Sequence, residues 1–285
     1  MIEINQTLVH QLIKQQFNQW QDLDIKPVAK SGHDNRTFHL GKNMTVRLPS
    51  GPGYASQVEK EFTWLPYLQK HLTMTISSPI AKGRPGCGYP YAWSINKYLE
   101  GETLTDQNIN SLDEFADDLA KFLKNLQAID ASKGPMAGIH NYYRGGNLAV
   151  YDNETITALN DLKEILPVEL LMKIWQSAKD ATNNELKVWV HGDIAPGNLL
   201  VKDGKLSAVI DFGILGVGDP ACDYAMAWTF FKGKSRDIFL KELDQTMINR
   251  ACGWALWKAL ITYQDDQQAA STINEIIKDR KRFGI

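Results

Sequence analysis

Two carboxylates and a carboxamide fall close together late in the chain, as Asp193, Asn198 and Asp211. The segment reads His191-Gly192-Asp193-Ile194-Ala195-Pro196-Gly197-Asn198, followed by Ile210-Asp211-Phe212-Gly213. Between these lie two apolar runs, Leu199-Leu200-Val201 and Leu206-Ser207-Ala208-Val209-Ile210, joined by Lys202-Asp203-Gly204-Lys205. That pattern predicts loop, strand, Asp-Gly turn, strand, loop. A hairpin of this kind would set the two loops side by side at one end, where three polar oxygens converge. Such a set suits metal-assisted phosphoryl transfer, a reaction governed by positioning and charge neutralisation. Asp193 is placed to take or orient the proton of an acceptor hydroxyl. Asn198 and Asp211 supply the hard oxygen ligands that Mg2+ requires.

The same residues carry a resemblance. H-x-D-x-x-x-x-N followed by D-F-G is similar to the catalytic and metal loops of kinases. Gly192 stands where eukaryotic protein kinases carry Arg, and Ala195-Pro196-Gly197 precedes the Asn. In this the segment resembles the aminoglycoside phosphotransferase family, which includes macrolide kinases and is related to choline kinases. Asp219-Pro220-Ala221-Cys222-Asp223-Tyr224-Ala225 extends the match. The resemblance implies an α+β, bilobal protein-kinase-like fold, with a small β-rich N-lobe over residues 1–99 that binds nucleotide. A larger, mainly helical C-lobe over residues 100–285 would carry catalysis and the substrate. It implies O-phosphorylation of a small hydroxylated molecule, with ATP or GTP as donor. The acceptor is expected to be an aminoglycoside-like or other antibiotic; an endogenous amino alcohol or sugar is the alternative.

Three residues around the loop have structural readings of their own. His191 is expected to orient the loop by hydrogen bonding rather than to do chemistry. Asp219 is expected to N-cap the next helix, with Pro220 at its first position. The resemblance gives Asp223 the task of bracing the catalytic loop through backbone hydrogen bonds.

The elements that must position the nucleotide lie upstream. Residues 4–20 read as an amphipathic helix with Ile4, Leu8, Leu12 and Phe17 near one face. Strand-like runs follow at 25–29, 37–40 and 44–48. The first turn, Ser31-Gly32-His33-Asp34-Asn35, is small enough for backbone N–H groups to approach phosphate, and equally suits a plain hairpin turn. The family carries a similar Gly-x-x-Asn segment over the phosphates, which brings in Ser31, Gly32 and Asn35. Arg47 occupies the position of the usual kinase Lys, and Arg can bind phosphate through its planar fork. Lys60 is a weaker substitute. Residues 55–70 read as a helix whose Glu61 matches the family's ion-pair Glu, with Glu59 as the alternative. Residues 90–101 read as a last strand entering a hinge, where the resemblance places backbone contacts to adenine at Asn96, Lys97, Tyr98 and Leu99. Leu200 and Ile210 would form the apolar floor beneath the base.

Beyond residue 112 the periodicity is helical. Leu112, Phe115, Leu119, Phe122, Leu123 and Leu126 mark one amphipathic face, with Asp113, Glu114, Asp117 and Asp118 on its other side or N-terminus. Two helices are expected within 154–182 and more across 220–282. Arg144, in a loop rich in aromatics and glycine, suits a substrate wall and a structural loop equally. Asp265 and Asp266 match, by position alone, late acidic residues that bind drug amino groups in the family; an N-cap role for Asp266 fits as well. Trp254 and Trp257 read as core.

With 285 residues, 44% of them hydrophobic, the chain can bury a substantial core. A formal net charge of −2 gives no basis for nucleic-acid or anionic-membrane partners. Cys87, Cys222 and Cys252 show no pairing logic, which suits a reducing compartment. No basic leader and no long apolar run is present, so a cytoplasmic location without signal peptide or membrane span is expected. A monomer or weak dimer is the expected state. Only six residues separate Phe212 from Asp219, too few for a long activation loop, and no A-P-E segment follows, which disfavours protein substrates. Arg47 in place of Lys leaves a nucleotide-binding pseudokinase as the rival from another class.

Overall fold

A computed structural model describes residues 3–29, 32–181 and 187–284. The chain separates into two compact units, Met1–Gly101 with Ala208–Gly213, and Glu102–Ser207 with Ile214–Ile285. The class is α+β, with strand-rich structure early and helices late.

In the first unit, helix α1 (Gln6–Gln16) starts at Asn5, whose side chain accepts the Leu8 N–H at 3.0 Å. It buries Leu8, Val9, Leu12 and Ile13. The helix is shorter than the expected 4–20, because Phe17 leaves helical geometry and sets its ring edge-on to Trp93, 5.5 Å between centroids. A separate 3₁₀ turn follows at Asn18–Trp20. The chain then forms β1 (Ile25–Pro27), β2 (Asn35–Leu40), β3 (Met44–Pro49), helix α2 (Ala55–Gln69), β4 (Thr75–Ile76), β5 (Pro79–Gly83) and β6 (Trp93–Lys97). Five of these strands make an antiparallel sheet in the order β1-β2-β3-β6-β5.

Alternation along β3 decides what each sheet face carries. Val46 and Leu48 join Phe38, Leu40, Trp93 and Ile95 in the cluster packed on α1. Arg47, between them, points to the opposite face, where it meets Glu61 of α2. Ala208 and Val209 return to this unit and pair in parallel with Thr75 and Ile76. They deliver Asp211 to it, an arrangement that a division into two continuous stretches does not convey.

The second unit contains β7 (Glu102–Thr103), α3 (Leu112–Gln127), α4 (Asp152–Asp161), α5 (Val168–Asp180), β8 (Val188–Val190), β9 (Leu199–Lys202) and β10 (Lys205–Val209), the last running on into the first unit. After β11 (Gly216–Gly218) come helices α6 (Met226–Thr229), α7 (Gly233–Leu240), α8 (Gln245–Ile261) and α9 (Gln267–Lys278). Ser111 caps α3, accepting the Glu114 N–H at 3.3 Å, and the expected apolar positions from Phe115 to Leu126 are buried. Helix α8 is apolar around most of its circumference and is the spine of the unit, with Trp254 and Trp257 buried on it. The β9–β10 hairpin turns on Asp203 and Gly204, both at positive φ (54° and 75°), as a tight I′-type turn requires.

Candidate active site

In the second unit, β8 ends at Val190, and the next two backbone N–H groups both donate to one buried carboxylate. His191 N–H reaches Asp223 Oδ2 and Gly192 N–H reaches Oδ1, each at 2.8 Å. Burial pushes the Asp223 carboxyl up from its ordinary value, while His191 and the two N–H bonds pull it down. Asp223 is held by a 3₁₀ turn, Pro220–Tyr224, which Asp219 caps by accepting the Ala221 N–H at 3.1 Å. Gly192 has φ +85°, and a Cβ there would lie 2.7 Å from the Ile214 carbonyl oxygen. That steric limit accounts for glycine at this point of the motif.

Asp193 then stands exposed. Its N–H donates to His191 Nδ1 at 3.2 Å, so the buried imidazole orients the loop. The Asn198 amide nitrogen donates to the Asp193 carbonyl at 2.8 Å and to its Oδ2 at 2.9 Å. One side chain thereby fixes both the backbone and the carboxylate of the candidate base.

In the first unit, Arg47 joins two acids. Its Nη1 donates to Glu61 Oε1 and Oε2 at 3.1 and 3.3 Å, and its Nη2 donates to Asp211 Oδ1 at 2.8 Å. Glu59 instead pairs with Lys82 at 2.8 Å on the exposed side of α2, so Glu61 is the ion-pair residue of the two. Burial acts to lower the Arg47 pKa, but Glu61 and Asp211 outweigh it and hold the guanidinium charged. Burial also pushes the Glu61 carboxyl up, against the pull of Arg47. The geometry supports the charged pair, because each terminal nitrogen of the fork faces a carboxylate. Lys60 does not replace Arg47 in this cluster; burial brings its amine down to about 8. Asp211 itself adopts φ +64°, an uncommon conformation for a residue with a side chain, and its N–H donates to Ser77 Oγ at 3.2 Å.

Each unit offers a hard oxygen donor of a kind suited to magnesium. Asn198 turns its amide nitrogen to Asp193, which leaves the amide oxygen as the atom for a hard cation. Asp211 is a third exposed and offers a carboxylate. Among the described residues no group of three or more His, Cys, Asp or Glu side chains could hold a metal ion. Taken singly, the Asn198 amide oxygen and the Asp211 carboxylate are each a hard oxygen of the kind Mg2+ takes alongside water and phosphate oxygens.

The sequence profile described as "Phosphotransferase enzyme family" matches residues 24–258. The chain belongs to that family. Solved structures with the same fold include the GDP complex of wild-type aminoglycoside 2'-phosphotransferase-IIIa, 17% identical, with a TM-score of 0.73 over 98% of this chain and 99% of that one. Macrolide 2'-phosphotransferase type I is 16% identical, with a TM-score of 0.62 over 96% and 99%. Among curated sequences, the "Uncharacterized protein YcbJ" of Bacillus subtilis (strain 168) is 25% identical over 73% of this chain, which spans 64% of that relative's length.

The other sequence-predicted residues of this phosphotransferase-family chain are placed as follows. Ser31 lies outside the described residues. Gly32 has open space where a Cβ would be, so its surroundings do not demand glycine. Asn35 is not in the turn: it is the first residue of β2, paired with Pro49 and buried. In the expected hinge, Lys97 N–H donates to Ser78 O and Tyr98 N–H to Asn43 O, both at 2.8 Å. Those two N–H groups are committed to the protein, because the strand ladder continues further than the hinge reading assumed. Asn96 is buried, with its amide nitrogen on Ser94 Oγ; Leu99 is half-buried. Leu200 is buried in the second unit and Ile210 half-buried in the first. Arg144 stacks over Trp257 at 4.6 Å and Trp254 at 5.4 Å, with its Cβ 3.1 Å from where a Gly192 Cβ would lie. It thus packs between the core tryptophans and the catalytic loop. Asp266 N-caps α9 by accepting the Gln268 N–H at 2.8 Å, and Asp265 beside it is exposed.

Two participants were missed by the sequence reading. Arg250 on α8 pairs with Asp219, Nε to Oδ2 at 2.5 Å, inside the protein. Gln57, one helical turn before Glu61, is buried and donates to Asp34 Oδ2 at 3.3 Å. Its Oε1 lies 2.5 Å from where a Gly213 Cβ would be, so glycine after Phe212 leaves it room. A polar residue at i−4 from the ion-pair Glu was the available clue to Gln57.

Proposed function

We propose that this protein transfers the terminal phosphoryl group of ATP or GTP to a hydroxyl of a small molecule of the antibiotic kind, aminoglycoside-like or macrolide-like. The observation that carries the reading is the treatment of Asp193. Its carboxylate is exposed yet held by the Asn198 amide, on a loop anchored at two consecutive N–H groups by Asp223. That is how a base for a hydroxyl proton is positioned. Asn198 and Asp211 are the oxygen donors assigned to Mg2+, which when bound would neutralise charge on the phosphates. Arg47, ordered by Glu61, is the cation assigned to the nucleotide. Among the described residues no helix is long and apolar enough to cross a membrane.

The test is phosphate transfer from ATP and from GTP, with Mg2+, across aminoglycosides, macrolides, amino alcohols and sugars. Asp193→Ala is expected to lower kcat by about 100-fold or more, the usual contribution of a positioned base, with nucleotide affinity little changed. Turnover undiminished in Asp193→Ala would overturn the assignment.

A further inference from the structure

The second unit contains a cavity of about 520 Å³, within the range of small-molecule sites. One wall is Pro196, three residues beyond Asp193 on the same loop. Beside it, the Leu104 N–H ties a second lining residue to that loop, reaching the Pro196 carbonyl at 3.1 Å and the Leu199 carbonyl at 2.9 Å. A ligand seated here therefore lies against the segment that carries the candidate base.

Apolar and polar residues share the lining equally. Leu104, Ile109, Leu112 and Phe230 contribute to it, with an edge of Trp228. Gln268 and Ser271, one turn apart on α9, add polar atoms that can meet hydroxyls. Its charged side chains are one of each sign, Asp106 and Lys232. Both are exposed, and among the described residues neither is in an ion pair. Asp265 and Asp266 are not among the walls. A polyamine needs several carboxylates to replace the hydration of its ammonium groups; this lining offers one, Asp106, and sets a cation, Lys232, in the same wall.

We infer that this cavity takes an acceptor with an apolar face, hydroxyl groups and at most one positive charge, and that Lys232 is a specificity-determining residue that excludes polycations. The inference rests on the phosphoryl-transfer reading for its link to Asp193, but its test reads binding. Calorimetry at low ionic strength would compare erythromycin, a glycosylated lactone with a single tertiary amine, with kanamycin, a polyamine without an extended apolar face. The native protein is expected to bind erythromycin at least about tenfold more tightly. Lys232→Glu should cut that ratio about tenfold by strengthening kanamycin, with Lys232→Ala between the two. The exposed position of Lys232 leaves folding unaffected, to be checked by an unchanged melting temperature. Equal or tighter kanamycin binding, binding of neither compound, or a ratio unmoved by Lys232→Glu would each overturn the inference. The binding preference without Asp193-dependent transfer would instead count against the phosphoryl-transfer reading alone.

Discussion

Replacing Arg47 with methionine would strand two carboxylates at once. Glu61 is 4% exposed and receives both its bonds to Arg47 from Nη1, while Nη2 holds Asp211. Removing one partner of a buried ion pair costs about 3–5 kcal/mol, because the other charge is left without water or a counterion. Asp211 is more exposed, and its share is about 0–1 kcal/mol. Arg47→Met is therefore expected to lose about 3–5 kcal/mol. The double variant Arg47→Met/Glu61→Leu should lose much less, giving a coupling of roughly 2–3 kcal/mol. Arg47→Lys keeps the charge but not the fork, and about 1–2 kcal/mol is expected. Urea unfolding followed by circular dichroism would give all these differences. The pH dependence supplies a second reading. Without the guanidinium, the Glu61 carboxyl, already pushed up by burial, rises further. A carboxyl whose folded pKa exceeds its unfolded one contributes stability that is full below the unfolded value and lost as pH rises through the folded value. Arg47→Met should then lie closest to the native protein in acid and fall behind toward neutrality. A coupling below about 0.5 kcal/mol, or a gap that does not vary with pH, would refute the argument.

Two further outcomes are expected. Gly192→Ala must place a Cβ 2.7 Å from a backbone oxygen at φ +85°; a loss of about 2–4 kcal/mol with a fall in kcat is expected, and a loss under about 1 kcal/mol in urea unfolding would contradict it. Lys60, brought down to about 8 by burial, binds fewer protons folded than unfolded between that pH and the ordinary lysine range. Stability should therefore rise with pH across that window, by about 1–2 kcal/mol after allowing for solvent screening. Lys60→Met should abolish the rise, and parallel pH profiles of the two proteins would show that the amine is not desolvated.

What was legible in the sequence had local causes. The Asp-Gly turn between β9 and β10 was readable because its positive-φ pair excludes most residues, and α3 because its apolar period and Ser111 cap agree. The Arg47–Glu61 pair was legible only through the family resemblance; in the structure, strand alternation turns Arg47 to the face where Glu61 of α2 lies. The missed features are products of tertiary packing. Nothing local to Asp219 announces Arg250, which approaches from another helix. The commitment of the Lys97 and Tyr98 N–H groups depends on carbonyls of Ser78 and Asn43, far along the chain. Asn35 looked like a turn residue by type, but the ladder with β3 extends far enough to draw it into the strand.

Arg47 was the residue that favoured a pseudokinase, and the geometry weakens that argument. A lysine ammonium is a point charge with three donors; two carboxylates would consume most of its capacity. A guanidinium carries five donors spread over a plane. Here Glu61 and Asp211 are met by one terminal nitrogen each, and Nε and the remaining N–H bonds lie outside those contacts. Arginine can therefore order the acid that follows the hairpin, keep the helix glutamate paired and still have donors to offer phosphate. The substitution is then a change in how the cation is shared, not the loss of one, and with Asp193, Asn198 and Asp211 all present it is compatible with turnover.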